Sequence, residues 1–120
     1  MRPPLRQFKA DFFKALAHPG RIKIIESLRS GEKTVGELQA LLDGESTPAS
    51  QHLALLRSKG IVSGQRNGNN VHYTVRDPMV FELLDVARKI FNAHLIDTQE
   101  LLKELTEEEE TVSGTKPTGG

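Results

Sequence analysis

Ser46-Thr-Pro-Ala-Ser-Gln-His-Leu-Ala-Leu-Leu-Arg-Ser-Lys-Gly60 is the stretch whose reading decides the fold. It opens with hydroxyl side chains and a proline, shows a polar leading end, runs into leucines and stops at glycine. Thr47 suits a helix cap, with Pro48 at the first helical position, where its missing N–H costs nothing. Leu53, Leu55 and Leu56 supply the buried side. A short helix is predicted just before this stretch and a hairpin just after it. A helix, a tight turn and a second helix with a polar leading end are the parts that a major-groove DNA reader needs.

Upstream, Thr34-Val-Gly-Glu37 matches a capping box, in which the threonine hydroxyl reaches the third amide and the glutamate reaches back. The helix it starts carries Val35, Leu38, Leu41 and Leu42, and Asp43-Gly44-Glu45 makes the turn. Further upstream, Phe8, Phe12, Phe13, Leu16 and Ala17 recur at close to helical spacing. His18-Pro19-Gly20 interrupts that pattern, and Pro19 opens a helix containing Ile22, Ile24, Ile25 and Leu28.

Downstream, residues 61–66 and 71–75 read as two strands around Asn67-Gly68-Asn69-Asn70, a strong hairpin signal because Asn and Gly tolerate positive φ. His72 and Tyr73 point to opposite faces, with Tyr73 expected inside. Asp77-Pro78 starts a last helix from about Met79 to Leu105. The expected fold is mainly α with a two-stranded β-wing. Residues 1–106 form one domain in this reading. Residues 107–120 combine an acidic run with Ser, Thr, Gly and Pro, and are expected to be a disordered tail.

The formal net charge of zero hides an asymmetry. Residues 1–76 hold twelve Lys and Arg against six Asp and Glu, whereas residues 77–120 hold four against ten. Phosphates meet only the surface that faces them, so the distribution matters more than the sum. No apolar run approaches the roughly 20 residues needed to span a bilayer. The absence of cysteine removes disulfides and thiolate metal sites. A soluble, cytoplasmic protein without a membrane partner is expected.

Candidate DNA-binding residues follow from position and chemistry. Ser50, Gln51 and His52 lie in the first turns of the helix, where base edges are read, and Gln pairs in bidentate fashion with adenine. Ser46, Thr47 and the free amides at the helix start suit phosphate. Arg57 and Lys59 extend the positive surface. Arg66, Asn67 and Asn69 at the hairpin suit the backbone or the minor groove. Singly, each of these reads first as a solvated surface residue; their order along the chain is what carries the inference.

Phe13-Lys-Ala-Leu-Ala-His-Pro-Gly-Arg21, Ser50-Gln-His-Leu-Ala-Leu-Leu56, Gly60-Ile-Val62, Arg66-Asn-Gly68 and Val71-His-Tyr-Thr-Val75 together resemble the bacterial ArsR/SmtB winged helix-turn-helix repressors. The resemblance covers about residues 8–91. It implies double-stranded DNA as partner, a homodimer built on the first and last helices, and two wings flanking an imperfect palindromic operator. Two departures stand out. Asp43-Gly44-Glu45-Ser46 replaces the family's usual lead into the recognition helix and brings Glu45 near phosphate, and Asn69 occupies a wing position where the family often has Arg.

Many relatives release DNA on binding metal. The cysteine site is absent here, and the family's last-helix ligand pattern fails, since reading on from Asp85 meets Ala87, Thr98 and Leu101. No cofactor is therefore expected from the family pattern. A weaker candidate for nickel or zinc is His94 with Asp97, within a seam of Val80, Leu84, Ala87, Phe91, His94, Thr98, Leu101 and Leu105 that suits a twin helix. Its plain alternative is an interface histidine paired with Asp97. An enzyme is not expected, because the four histidines are scattered and no nucleophile has a base partner. A protein-interaction module working through the acidic carboxyl-terminal half is the contrasting class.

Overall fold

Several of the predicted boundaries can be followed to hydrogen bonds in the computed structural model, which describes residues 4–112. The elements run α1 (Leu5–Leu16), α2 (Pro19–Ser27), a 3₁₀ turn (Leu28–Ser30), β1 (Lys33–Thr34), α3 (Val35–Leu41), α4 (Ala49–Ser58), β2 (Val62–Asn67), β3 (Asn70–Val75) and α5 (Met79–Val112). His18 caps α2: its Nδ1 accepts from the Gly20 amide at 2.9 Å, with Pro19 in the first turn. The Thr34–Glu37 capping box is complete, with Glu37 N–H donating to Thr34 Oγ1 at 3.3 Å and Thr34 N–H to Glu37 Oε1 at 2.9 Å.

The start of α4 differs from expectation by one residue, and Thr47 caps nothing. Pro48 holds the cap position with extended φ and ψ of −70° and 152° and has no acceptor on its side chain. The missing acceptor comes from α3, where Gln39 Oε1 accepts from the Ala49 amide at 2.8 Å. One side chain therefore joins the two helices across the turn and satisfies a helix-end donor. At the other end, Ile61 N–H donates to Leu56 O at 2.9 Å and Gly60 N–H to Arg57 O at 3.0 Å. With Gly60 at φ 72°, this is a complete Schellman closure.

The sheet has three strands in the order β1-β3-β2, all antiparallel, rather than the two expected. The added strand is two residues long. Lys33 pairs with Tyr73 and Thr34 with His72, so β3 is central. In the β2–β3 hairpin Asn67 pairs with Asn70, leaving Gly68 and Asn69 as the loop, and Gly68 takes φ 69°. Gly64 faces Tyr73 in this register, and a Cβ there would stand 2.9 Å from Val71 Cγ1 and 3.0 Å from the Tyr73 ring. The glycine lets the ring lie across the strand.

The core gathers Ile24 and Ile25 of α2, Leu38 of α3, Leu53 and Leu56 of α4, Ile61, Val62, Tyr73 and Val80, all buried. The residues fall into two compact units that meet between Glu82 and Leu83, within α5. Asp77 Oδ1 accepts from the Met79 amide at 2.9 Å and starts that helix. It continues to Val112, into the stretch expected to lack structure. Glutamate is a strong helix former, so the run from Glu107 propagates a helix already nucleated upstream. The remainder of the expected tail lies outside the described residues.

Candidate nucleic-acid interface

Helix α4 carries two chemically distinct faces. Ala49, His52, Leu53 and Leu56 are buried, a stripe with steps of three, one and three residues that packs onto the core. Ser50, Gln51, Ala54, Arg57 and Ser58 are exposed on the opposite side. Ser50, Ala54, Arg57 and Ser58, together with Tyr73 of β3, line a shallow cleft of about 310 Å³ where helix meets sheet. Lys59 continues the cationic surface beyond the helix. Ser46 is exposed and Thr47 half-buried immediately before α4.

The hairpin places Arg66, Asn67 and Asn69 at its solvent-exposed tip. A second cleft, of about 240 Å³, is lined by Glu32, Gln65, Arg66, Asn67 and His72. His72 Nδ1 lies 3.4 Å from Glu32 Oε1, so that ring has a carboxylate partner.

His52 does not join the exposed face. It is 2 % exposed, and its Nε2 lies 3.3 Å from Glu45 Oε1, where the ring N–H donates to the carboxylate. The expectation that it reads bases is corrected by helix phase, because a position three after Ala49 and four before Leu56 faces inward. Glu45 is corrected with it. Its carboxylate turns onto His52 and stands 3.8 Å from His18 Nδ1, rather than pointing toward phosphate. The two imidazole rings stack tilted, with centroids 4.5 Å apart. The expected phosphate site at the helix start also loses a donor, since the Ala49 amide is held by Gln39.

Glu37 has an acidity that clearly departs from its ordinary value. Its carboxyl is held low by the backbone N–H of Thr34, then by the Thr34 hydroxyl; desolvation opposes them, and Lys33 and His72 add smaller help. This strengthens the start of α3 rather than creating reactive chemistry. His94 and Asp97 are both exposed, one turn apart on α5. Among the described residues, the group able to converge on one metal ion is His18, Glu45 and His52, whose ligand atoms lie within 4.8 Å of one another. Sequence reading missed this group because it lies across three elements. The inward phase of His52 was the available signal.

Comparison with known proteins agrees with this geometry. Residues 18–63 match the model of the family described as bacterial regulatory protein, arsR family. An uncharacterised HTH-type transcriptional regulator of Mycobacterium tuberculosis, Rv0081, is 45 % identical over 103 residues, covering 85 % of this chain and 90 % of the relative. Its crystal structure superposes with a TM-score of 0.69 at 46 % identity, over 80 % of this chain and 98 % of that one. The homodimeric winged helix-turn-helix domain of Mb0332 from Mycobacterium bovis gives a TM-score of 0.67 at 30 % identity, over 76 % and 84 % of the two chains. A biofilm growth-associated repressor of Agrobacterium fabrum is 37 % identical over 84 residues, covering 70 % of this chain and 72 % of the relative.

Proposed function

This chain belongs to the arsR family of bacterial regulatory proteins, and from that premise we propose that it represses transcription as a homodimer on an imperfect palindromic operator. It is a DNA-binding transcriptional regulator with a winged helix-turn-helix fold. In the proposed complex each α4 enters a major groove, and the half-sites lie roughly 10 base pairs apart on one face of the duplex. Ser50 and Gln51 read base edges. Arg57, Lys59 and Arg66 meet phosphates, while Ser46, Thr47, Asn67 and Asn69 border the backbone. His52 is left out of this set because of its burial.

The observation that carries the reading is the exposed polar stripe of α4, flanked by a hairpin carrying Arg66 and backed by a buried inner face that is apolar apart from His52. Two further features support the dimer. α1 exposes Leu5, Phe8 and Phe13, and α5 exposes Ile90, Phe91, Leu95, Ile96, Leu101, Leu102 and Leu105. Apolar surface on that scale marks an interaction site. Residues up to about 106 would provide DNA binding and dimerisation together. No helix among the described residues is long and apolar enough to cross a membrane, and the proposed DNA target is the reason for proposing a cytoplasmic protein.

Gel-shift titration on DNA upstream of its own operon, against a scrambled duplex, tests the reading. Gln51→Ala is expected to cost roughly 1–3 kcal/mol of sequence preference while leaving the salt dependence unchanged. Equal weakening on both duplexes would remove Gln51 as a base reader. Equal affinity of the unaltered protein for both would remove the regulator reading as stated.

A further inference from the structure

We propose that His18, Glu45 and His52 form a zinc site that ties the recognition helix to α2. The three side chains come from separate elements: the cap of α2, the turn between α3 and α4, and the inner face of α4. Two imidazole nitrogens and a carboxylate oxygen are a ligand set suited to a divalent, imidazole-preferring metal. With metal–ligand bonds of about 2.0–2.2 Å, neighbouring ligand atoms of a tetrahedral site lie about 3.4 Å apart. Glu45 Oε1 stands 3.3 Å from His52 Nε2 and 3.8 Å from His18 Nδ1, and all three ligand atoms fall within 4.8 Å. The site needs only adjustments of a few tenths of an ångström on those two edges.

The surroundings of His18 favour its ligand form. The Gly20 amide donates to His18 Nδ1 and so selects the tautomer with a lone pair on that nitrogen. Zinc would replace that hydrogen bond and the one between His52 Nε2 and Glu45, with the Nε2 proton of His52 released on binding. The His52 side chain is 1 % exposed and forms the rigid back of the site, whereas Glu45 and His18 are 28 % and 35 % exposed and form its open side. Water can complete the fourth position from there, as in zinc sites with three protein ligands.

Gly20 makes the cluster sterically possible. A Cβ at that position would lie 2.5 Å from both carboxylate oxygens of Glu45, closer than non-bonded atoms approach. The carboxylate occupies space that an alanine side chain would take.

This site is distinct from the His94–Asp97 pair on α5 and does not depend on DNA binding. Calorimetric titration of the untagged full chain with zinc chloride reads it directly. Cobalt(II) serves as a spectroscopic probe, since tetrahedral coordination gives intense visible d–d bands. One zinc per chain is expected, along with those bands. Glu45→Gln and His18→Asn should each weaken zinc binding by at least about tenfold. Asparagine keeps the capping ability at His18, so a helix-cap defect does not explain the loss. Gly20→Ala, which alters no ligand, should weaken binding by displacing Glu45. His94→Ala should bind like the unaltered chain. Absence of zinc binding, unchanged binding in Glu45→Gln, or loss confined to His94→Ala overturns the proposal. Circular dichroism melts of the variants confirm that each is folded when titrated.

Discussion

The unit ending at Glu82 and the α5 segment beginning at Leu83 solve the burial problem in opposite ways. In the first, Ile24, Ile25, Leu38, Leu53 and Leu56 are enclosed within one chain, and helix ends are closed by Thr34, Gln39 and Gly60. In the second, Ile90, Phe91, Leu95, Ile96, Leu101, Leu102 and Leu105 remain exposed along one long helix. A lone helix cannot bury its own apolar face. The first region thus has a fold to lose when its core is cut, whereas the second, in the proposed homodimer, has an association to lose.

The sharpest way to break this contrast is Leu56→Ala, in the fully buried stripe of α4. A loss of about 2–5 kcal/mol of folding stability is expected by denaturant titration, from the transferred methyl groups plus the cavity left behind. A loss below about 1 kcal/mol would mean that this region is not a tightly packed core.

Phe91→Glu probes the other region, and the expected effect appears in self-association. In the proposed homodimer Phe91 lies at the interface, and a charge there should weaken the dimer by about 1.5–3 kcal/mol, read by sedimentation equilibrium across concentrations. The denaturation midpoint of the resulting monomer should stay near that of monomeric unaltered protein. An unchanged dimer would exclude Phe91 from the interface.

Gln39→Ala asks how far the first region depends on polar closure. Removing the acceptor for the Ala49 amide should cost about 0.5–2 kcal/mol, as loss of a helix cap does. Hydrogen exchange at Ala49 should rise more than exchange in α2.

The smallest effect belongs to Glu37. Its carboxyl is held below its ordinary value, so the folded state binds the proton more weakly than the unfolded chain. The capping box therefore contributes fully above the unfolded-state value of about 4.3 and fades as the pH falls through the lower folded value. Glu37→Gln should remove that part of the acid dependence, measured as the difference in melting temperature between pH 6 and pH 3.

Much of the first region was legible residue by residue. Thr34 and Glu37 carry both halves of their hydrogen-bond exchange at fixed local spacing. Asn67 and Gly68 announce the hairpin, and Gly60 the end of α4. Three features were not legible. Lys33 and Thr34 are too few to show strand periodicity, and they become a strand only through pairing with Tyr73 and His72. Gln39 is two residues from the end of its helix by sequence, and nothing local says that it caps another. His52 was assigned outward because the groups that receive it, Glu45 and His18, come from other parts of the chain, although its spacing from Leu53 and Leu56 pointed it inward.

The stretch from Ser46 to Gly60 by itself determined that a helix with an apolar stripe and a glycine stop follows a turn, because periodicity, proline and glycine act within a few residues. Only the tertiary structure decided which polar residues of that helix meet solvent. His52 turns inward because Glu45, ahead of the helix, and His18, from another element, form a polar pocket at the edge of the core. Gln51, one residue before it, remains outside.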